Sequence, residues 1–366
     1  MTRNREKDSV ITMGVELETY SIIAPENRIC RELHFPRRSS VEDGERFTRD
    51  TSIGTEYNSM VFETIREAFF LLKNGLRKYT RFRRKEASKS YYVIFPVGGW
   101  TDRFAGSHLH ISSGKRGINY EEAKCLASYI HDHIPFLIVL TANSPVWRKE
   151  ITPYASNRLL RGSDKYCKTT RREVLYKQPY RELTFNPPSQ RKPPTLELRV
   201  CDSSLPEYLV AALCVYRAAA LRWLKGKQPL NQSTHTNYLK ARQQAIQMGT
   251  KAELVWSNHW MNVSRYVDLF FRKYEEELEE MDIPDEIIAI FKYLKDGWNQ
   301  AEVIRAAAVK FRQKNASTWQ RQFAARYIRA IEELLDGNSY EQFARRLGVK
   351  LPDIERRWLG RKEAHW

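Results

Sequence analysis

Apolar and polar residues alternate in several short runs of this chain, and those runs fix most of the elements it should form. The run Val10–Ile23 is rich in Val, Ile, Thr and Tyr and stops at the turn Ala24-Pro25-Glu26-Asn27, which predicts a strand. A charged stretch follows to Asp50, then a short second strand around Glu56. Between Val61 and Tyr79 the residues Phe62, Ile65, Phe69, Leu72 and Leu76 recur at three- and four-residue steps, the spacing of an amphipathic helix. Strands are expected over Tyr91–Val97, closed by Gly98-Gly99, and over Ser107–Ser112. Asn119, with Glu122 three residues on, reads as a capping box opening a helix to about Thr141. Pro193-Pro194 leads into a strand over Thr195–Cys201, and Pro206 opens a helix to about Lys225. Beyond Gly226-Lys227-Gln228-Pro229 the pattern is helical, with no strand run, so the chain divides into residues 1–228 and residues 229–366.

Side chains two apart on a strand share a face. Four runs use this spacing for chemistry: Gly14-Val15-Glu16-Leu17-Glu18, Gly54-Thr55-Glu56, Ser107-His108-Leu109-His110-Ile111-Ser112 and Leu196-Glu197-Leu198-Arg199. Each puts carboxylates or imidazoles on one side and apolar or small groups on the other. Hard divalent cations such as Mg²⁺ prefer oxygen ligands, and Mn²⁺ also accepts imidazole. Glu16, Glu18, Glu56, His108 or His110, and Glu197 would supply ligands for two or three ions. Arg199 shares the face of Glu197 and is placed to grip a phosphate oxygen. Singly, each run has an ordinary reading: a solvated strand face, surface histidines, a structural ion pair. Four that could line one sheet face point to a metal and phosphate site, provided that they converge.

Composition narrows the class. Hydrophobic residues make up 42% and aromatics 12%, which excludes general disorder. The stretch Ile134 to Ala142 contains Pro135, and the run from Tyr208 to Leu224 is interrupted by Arg217 and Arg222, so neither is suited to span a bilayer. Met1 to Asp8 has no apolar core of a signal peptide. Five scattered cysteines without C-x-x-C pairing read as free thiols in a reducing cytoplasm. The net charge of +17 is uneven: residues 1–230 carry 39 Lys and Arg against 25 Asp and Glu, while residues 231–366 carry 22 against 19. The excess lies with the carboxylate and histidine runs, notably in residues 76–89 and 148–199, and favours an anionic ligand.

The order of these motifs resembles the glutamine synthetase-like carboxylate–amine ligases, in particular the glutamate–cysteine-ligase-type and amidoligase branches. The resemblance rests on the Gly-x-Glu-x-Glu strand, the Asp50…Glu56 segment, the Gly106-Ser-His-x-His-x-Ser strand, the Leu-Glu-x-Arg strand before a Pro-opened helix, and Asn143-Ser144-Pro145-Val146-Trp147 followed by Tyr154-Ala155-Ser156-Asn157-Arg158. It covers roughly residues 10–225. It implies an α+β fold, a curved antiparallel sheet with flanking helices, to which this chain adds an all-α C-terminal region. It implies ATP and Mg²⁺ or Mn²⁺ as cofactors, and a reaction that joins a carboxylate to an amine through an acyl phosphate. Residue by residue, Glu16 and Glu18 would each face a different ion, Glu56 and Glu197 would complete those shells, and His108 would be the imidazole ligand. His110 and Ser112 would lie towards the ATP phosphates. Arg199 would stabilise the transferring phosphoryl group, Arg158 would hold phosphate or a substrate carboxylate, and Asp50 would orient or deprotonate the amine.

The basic surround points to an acidic peptide or protein as one substrate. Tyr340 to Leu359 has the pattern of a helix-turn-helix, with Ala344 at a close approach, Gly348 at the turn, and Lys350, Arg356 and Arg357 on or beside the second helix. Two alternatives to the ligase therefore stand: a phosphotransferase or amide hydrolase on the same fold, and a nucleic-acid-binding protein. The second is disfavoured by the small charge excess of the C-terminal part.

Overall fold

The computed structural model describes residues 10–31, 45–48, 53–86, 91–114, 117–189 and 192–354. Its elements run β1 (Ile11–Ala24), β2 (Arg28–Cys30), β3 (Arg46–Thr48), β4 (Thr55–Asn58), α1 (Ile65–Glu86), β5 (Tyr91–Phe95), β6 (Gly106–Ser113), α2 (Tyr120–Ile130) and α3 (Ile134–Thr141). Then come β7 (Val146–Trp147), β8 (Glu150–Ile151), α4 (Asn157–Tyr166), β9 (Leu183–Asn186), β10 (Thr195–Asp202) and α5 (Pro206–Leu224). The remainder holds α6 (His235–Met248), β11 (Glu253–Trp256), β12 (His259–Asn262), α7 (Val263–Lys273), α8 (Glu275–Glu279), α9 (Asp285–Lys295), α10 (Gln300–Lys314), α11 (Trp319–Leu335) and α12 (Tyr340–Arg346).

An eight-stranded sheet runs β3-β4-β1-β6-β10-β9, with β2 and β5 paired to the far half of β1. Its pairings are all antiparallel. The first half of β1 alternates as the sequence requires. Ile11, Met13, Val15 and Leu17 enter the core, while Thr12, Gly14, Glu16 and Glu18 take the opposite face. Behind the core face lies α5, which packs on β1 and β6 and against α1, α2 and α3. It is buried from Pro206 to Tyr216, and the Tyr216 hydroxyl donates to the Leu196 carbonyl at 2.9 Å. The expected helix to Thr141 is divided: α2 has the Asn119–Glu122 capping box, a 3-10 turn covers His131–His133, and α3 continues with Pro135 in its first turn, where no amide hydrogen is needed.

One apolar core cluster holds residues from Ile11 to Ile354. The C-terminal helices enter it through α9 on α5, α11 on α1, and edge contacts of Phe95 with Phe323 and Tyr327. Among the described residues, those beyond 230 form helices except for the hairpin β11–β12, a strand pair where the sequence pattern showed helix only. Its turn places Ser257 and Asn258 at φ 47° and 68°, the left-handed pair that joins two strands tightly. Trp256 is thereby a strand residue packed on Tyr266, and Trp260 stands 38% exposed on the partner strand. Of the helix-turn-helix pattern, α12 is present with Ala344 buried and Gly348 at φ 81° in the turn. Arg356 and Arg357 lie outside the described residues. Among the described residues no helix is long and apolar enough to cross a membrane.

Candidate active site

Sheet register carries the four chemical runs to one place. Glu16 lies opposite Asn58 on β4 and His108 on β6, and Glu18 lies opposite Glu56. Gly14 lies opposite His110, which in turn faces Glu197 on β10. Five of the expected metal-binding or phosphate-facing groups, Glu16, Glu18, His108, His110 and Glu197, thus share neighbouring rungs of the ladder. His108 Nδ1 is 3.2 Å from Glu16 Oε2 and 3.3 Å from Glu197 Oε1, and its Nε2 is 3.9 Å from Glu18 Oε1. His110 Nε2 is 3.6 Å from Glu16 Oε1. Ligand atoms of Glu16, His110 and Glu197 all lie within 4.8 Å of one another.

Groups outside the expected ligand set hold these side chains in place. Thr195 Oγ1 is 3.0 Å from His110 Nδ1, so the other ring nitrogen is the one turned to the carboxylates. Asn186 Nδ2 donates to Glu197 Oε2 at 2.9 Å, the Gly106 amide donates to Glu18 Oε2 at 2.6 Å, and Asn58 Nδ2 donates to Glu56 Oε1 at 2.7 Å. Lys192 is ion-paired with Glu16. Only the strand positions of the primary groups were legible in advance; these partners come from neighbouring strands and loops, whose pairing no local pattern encodes.

Arg199 donates to Glu197 and has its Nε buried without a partner. It sits at a bulge: Leu198 pairs with Leu109 and Cys201 with Ser107, three steps on β10 against two on β6. Its amide there donates to the Glu182 carbonyl of the strand-edge loop instead. Arg158 is 3% exposed and donates through Nη2 to the Arg199 carbonyl at 3.0 Å, while its Nη1 has no partner. The Asn143–Trp147 and Tyr154–Arg158 segments position it. Asp202, fully buried, accepts from the Asn143 amide and from the hydroxyls of Ser144 and Ser156, and Ser144 Oγ in turn accepts from the Arg158 amide. Ser112 donates to the Pro194 carbonyl at 2.7 Å and accepts from the Ile118 amide, so its hydroxyl anchors a loop at the cavity wall. Asp50 lies outside the described residues.

Electrostatics mark this face as built for positive charge. Burial alone would push the Glu16 carboxyl up, yet the hydrogen bonds and charges of His108 and His110 outweigh it and hold the group well below the usual carboxylate range. Glu197 is likewise lowered, burial being outweighed by His108, Arg199 and His110. Glu56 is pushed up, first by burial and then by the negative charge of Glu16. Four carboxylates in a protected face repel one another unless a cation joins them. His110 Nε2 and His108 Nε2 are buried with no hydrogen-bond partner. Oxygen and imidazole donors of this kind suit Mg²⁺ or Mn²⁺, and the residues fit such an ion.

A cavity of about 590 Å³ opens beside Glu16 and His110. It is lined by Thr12, Gly14, Ser112 and Thr195 of the sheet, together with Met60 and Pro193. A Cβ at Gly14 would meet nothing closer than 3.8 Å, so glycine there leaves space above the sheet rather than relieving a clash.

No protein-family model matches this sequence, and no curated protein matches it. Solved structures do. The complex of the prokaryotic ubiquitin-like protein Pup with its ligase PafA aligns with a TM-score of 0.58 at 12% identity, covering 94% of this chain and 81% of that one. Glutamate–cysteine ligase of Francisella tularensis, solved with AMP, aligns with a TM-score of 0.54 at 12% identity over 98% and 96%. The chain has the glutamine synthetase-like fold. The bifunctional glutathione synthetase of Pasteurella multocida also aligns, with a TM-score of 0.58 at 11% identity, although this chain spans only 55% of its length. At such identities the likeness is one of fold, and the glutamine synthetase-like sheet of this chain is where its carboxylate and imidazole face lies.

Proposed function

We propose that the protein is an ATP-dependent carboxylate–amine ligase that works with Mg²⁺ or Mn²⁺ and forms its amide bond through an acyl phosphate. The observation that carries this is the meeting of Glu16, Glu18, His108, His110, Glu197 and Arg199 on one sheet face beside a cavity of nucleotide size. Glu16, His110 and Glu197 would hold one cation beside His108, and Glu18 and Glu56 would face a second. Bound cations there neutralise phosphate charge and so reduce the repulsion between a triphosphate and an approaching carboxylate.

The nucleotide would be held in the cavity lined by Gly14, Ser112 and Thr195, beside Glu16 and His110. Arg199 and Arg158, further along the face, are placed to receive the acid, and Arg199 stabilises charge on the transferring phosphoryl group. A carboxylate oxygen attacks the γ-phosphorus, giving an acyl phosphate and ADP. The amine nitrogen then attacks the acyl carbon, phosphate leaves, and the surplus amine proton passes to a base. Asp50 is the proposed base. The +14 excess over residues 1–230 supports an acidic peptide or protein as one substrate, and PafA, a ligase of the protein Pup, is a fold neighbour.

The test supplies ATP, Mg²⁺ and panels of acids and amines, with ¹⁸O in the carboxylates. A ligase releases ADP and phosphate only when both partners are present, and the phosphate carries one ¹⁸O from the acid. Phosphate retained on a product indicates a phosphotransferase instead. Glu16→Gln and Glu197→Gln should each lower turnover by about 10²-fold or more; full activity in both would remove the enzyme reading. An acceptor whose KM ignores ionic strength would remove the acidic-substrate part alone.

A further inference from the structure

We propose that Lys192 is an exchangeable counter-ion of this site: it neutralises Glu16 while no divalent cation is bound, and transfers to nucleotide phosphate when one is. The inference rests on the reading of the face as a metal and nucleotide centre. The Lys192 ammonium pairs with Glu16 Oε1 and lies 3.3 Å from Asn58 Oδ1. Glu16 Oε1 is also the oxygen 3.6 Å from the unpartnered Nε2 of His110. The lysine charge therefore stands on the outer side of the Glu16–His110–Glu197 ligand group.

Its setting distinguishes it from the fixed charges of the site. Arg199, on a sheet strand, is 15% exposed at the side chain, whereas Lys192 is 57% exposed and precedes Pro193-Pro194 outside the sheet. A dication on Glu16 and an ammonium on the same carboxylate repel, so only one of them is held there. Lys192 also lines the 590 Å³ cavity, together with Arg46, and its flexible four-carbon stem has room to swing into it. Phosphate oxygens in that cavity would receive the displaced ammonium. Metal and nucleotide thereby favour each other through one side chain, and by linkage the effect is reciprocal.

The experiment compares wild type, Lys192→Met and Lys192→Arg. Mn²⁺ binding without nucleotide is followed by the electron paramagnetic resonance of free Mn²⁺, and binding of a fluorescent ADP analogue is measured at saturating Mn²⁺. Lys192→Met should bind Mn²⁺ roughly five-fold tighter, the scale of an exposed ion pair, and ADP more weakly, while Lys192→Arg stays near wild type in both. Opposite signs are what a merely structural role does not produce. Unchanged or weaker Mn²⁺ binding by Lys192→Met, in a site that binds Mn²⁺ in the wild type, overturns the counter-ion role and leaves the metal reading standing. Absence of Mn²⁺ binding in wild type and variants alike overturns both.

Discussion

At the scale of single residues, the site depends on which nitrogen of each imidazole faces the carboxylates. For His110 the orientation comes from Thr195: its hydroxyl, 3.0 Å from Nδ1, turns Nε2 towards Glu16 and Glu197, and it can accept the Nδ1–H when Nε2 gives its lone pair to a cation. Thr195→Val keeps the shape and removes that oxygen. The expected result is a ten- to hundred-fold loss of Mn²⁺ affinity, the usual order for removing the support of a ligating histidine, with near-recovery in Thr195→Ser, measured by titrating free Mn²⁺. Equal affinity in Thr195→Val would mean that packing alone orients the ring. The carboxylates contribute in the same way: Glu197 keeps its second oxygen on Asn186, so it presents Oε1 to His108 and Arg199 in one fixed direction.

At the scale of elements, the strand period that places Glu16 and Glu18 together also sends Val15 and Leu17 into the core, so β1 could be read from its alternation alone. The histidine strand is read in the same way, and α5 from its Pro206 start and the largely apolar run that precedes Arg217. Strands β2, β3 and β9 are three or four residues long and hold their place through partners distant in sequence, such as Thr195 opposite Asn186, so no local period announces them. The bulge after Leu198 is of the same kind. Gly106, at the start of β6, gains its importance only from such a long-range approach. A Cβ there would stand 2.3 Å from Arg158 Nη2, and Arg158 is buried with its guanidinium committed to the Arg199 carbonyl. Gly106→Ala should cost about 1–3 kcal/mol as overpacking. It should also depress turnover beyond what that loss explains, because relief comes by moving Arg158 off the Arg199 strand. Urea denaturation measures the first effect, and turnover of the fully folded variant the second; wild-type turnover would show Arg158 to be uninvolved.

At the scale of the whole molecule, a buried polar network joins the residues after 230 to the sheet-bearing part. Glu182, wholly buried, accepts from the Thr170 amide, Tyr238 and Arg242, while its own carbonyl receives the Arg199 amide, so this junction reaches the site through the backbone. Beside it, His133 lies between two tyrosines, with Nδ1 2.8 Å from the Tyr266 hydroxyl and Nε2 3.0 Å from that of Tyr274. A neutral ring satisfies both, accepting from one hydroxyl and donating to the other. Burial, only partly opposed by Asp132, pushes this imidazole down to about 4. An unfolded chain takes up that proton near pH 6.5, so between pH 6.5 and 4 the unfolded state binds more protons, and stability is lost as the pH falls. The full span corresponds to about 3 kcal/mol. His131 acts in the other direction: burial would lower it, but the Asp132 hydrogen bond and charge outweigh that and raise it, favouring the fold on the acid side. Comparison with His133→Gln separates the two. Urea denaturation from pH 7 to pH 4.5 should show wild type losing stability more steeply than the variant, even though the variant starts lower at pH 7. Parallel slopes would mean that His133 is already charged in the fold, and that the two tyrosines do not hold it neutral at the junction.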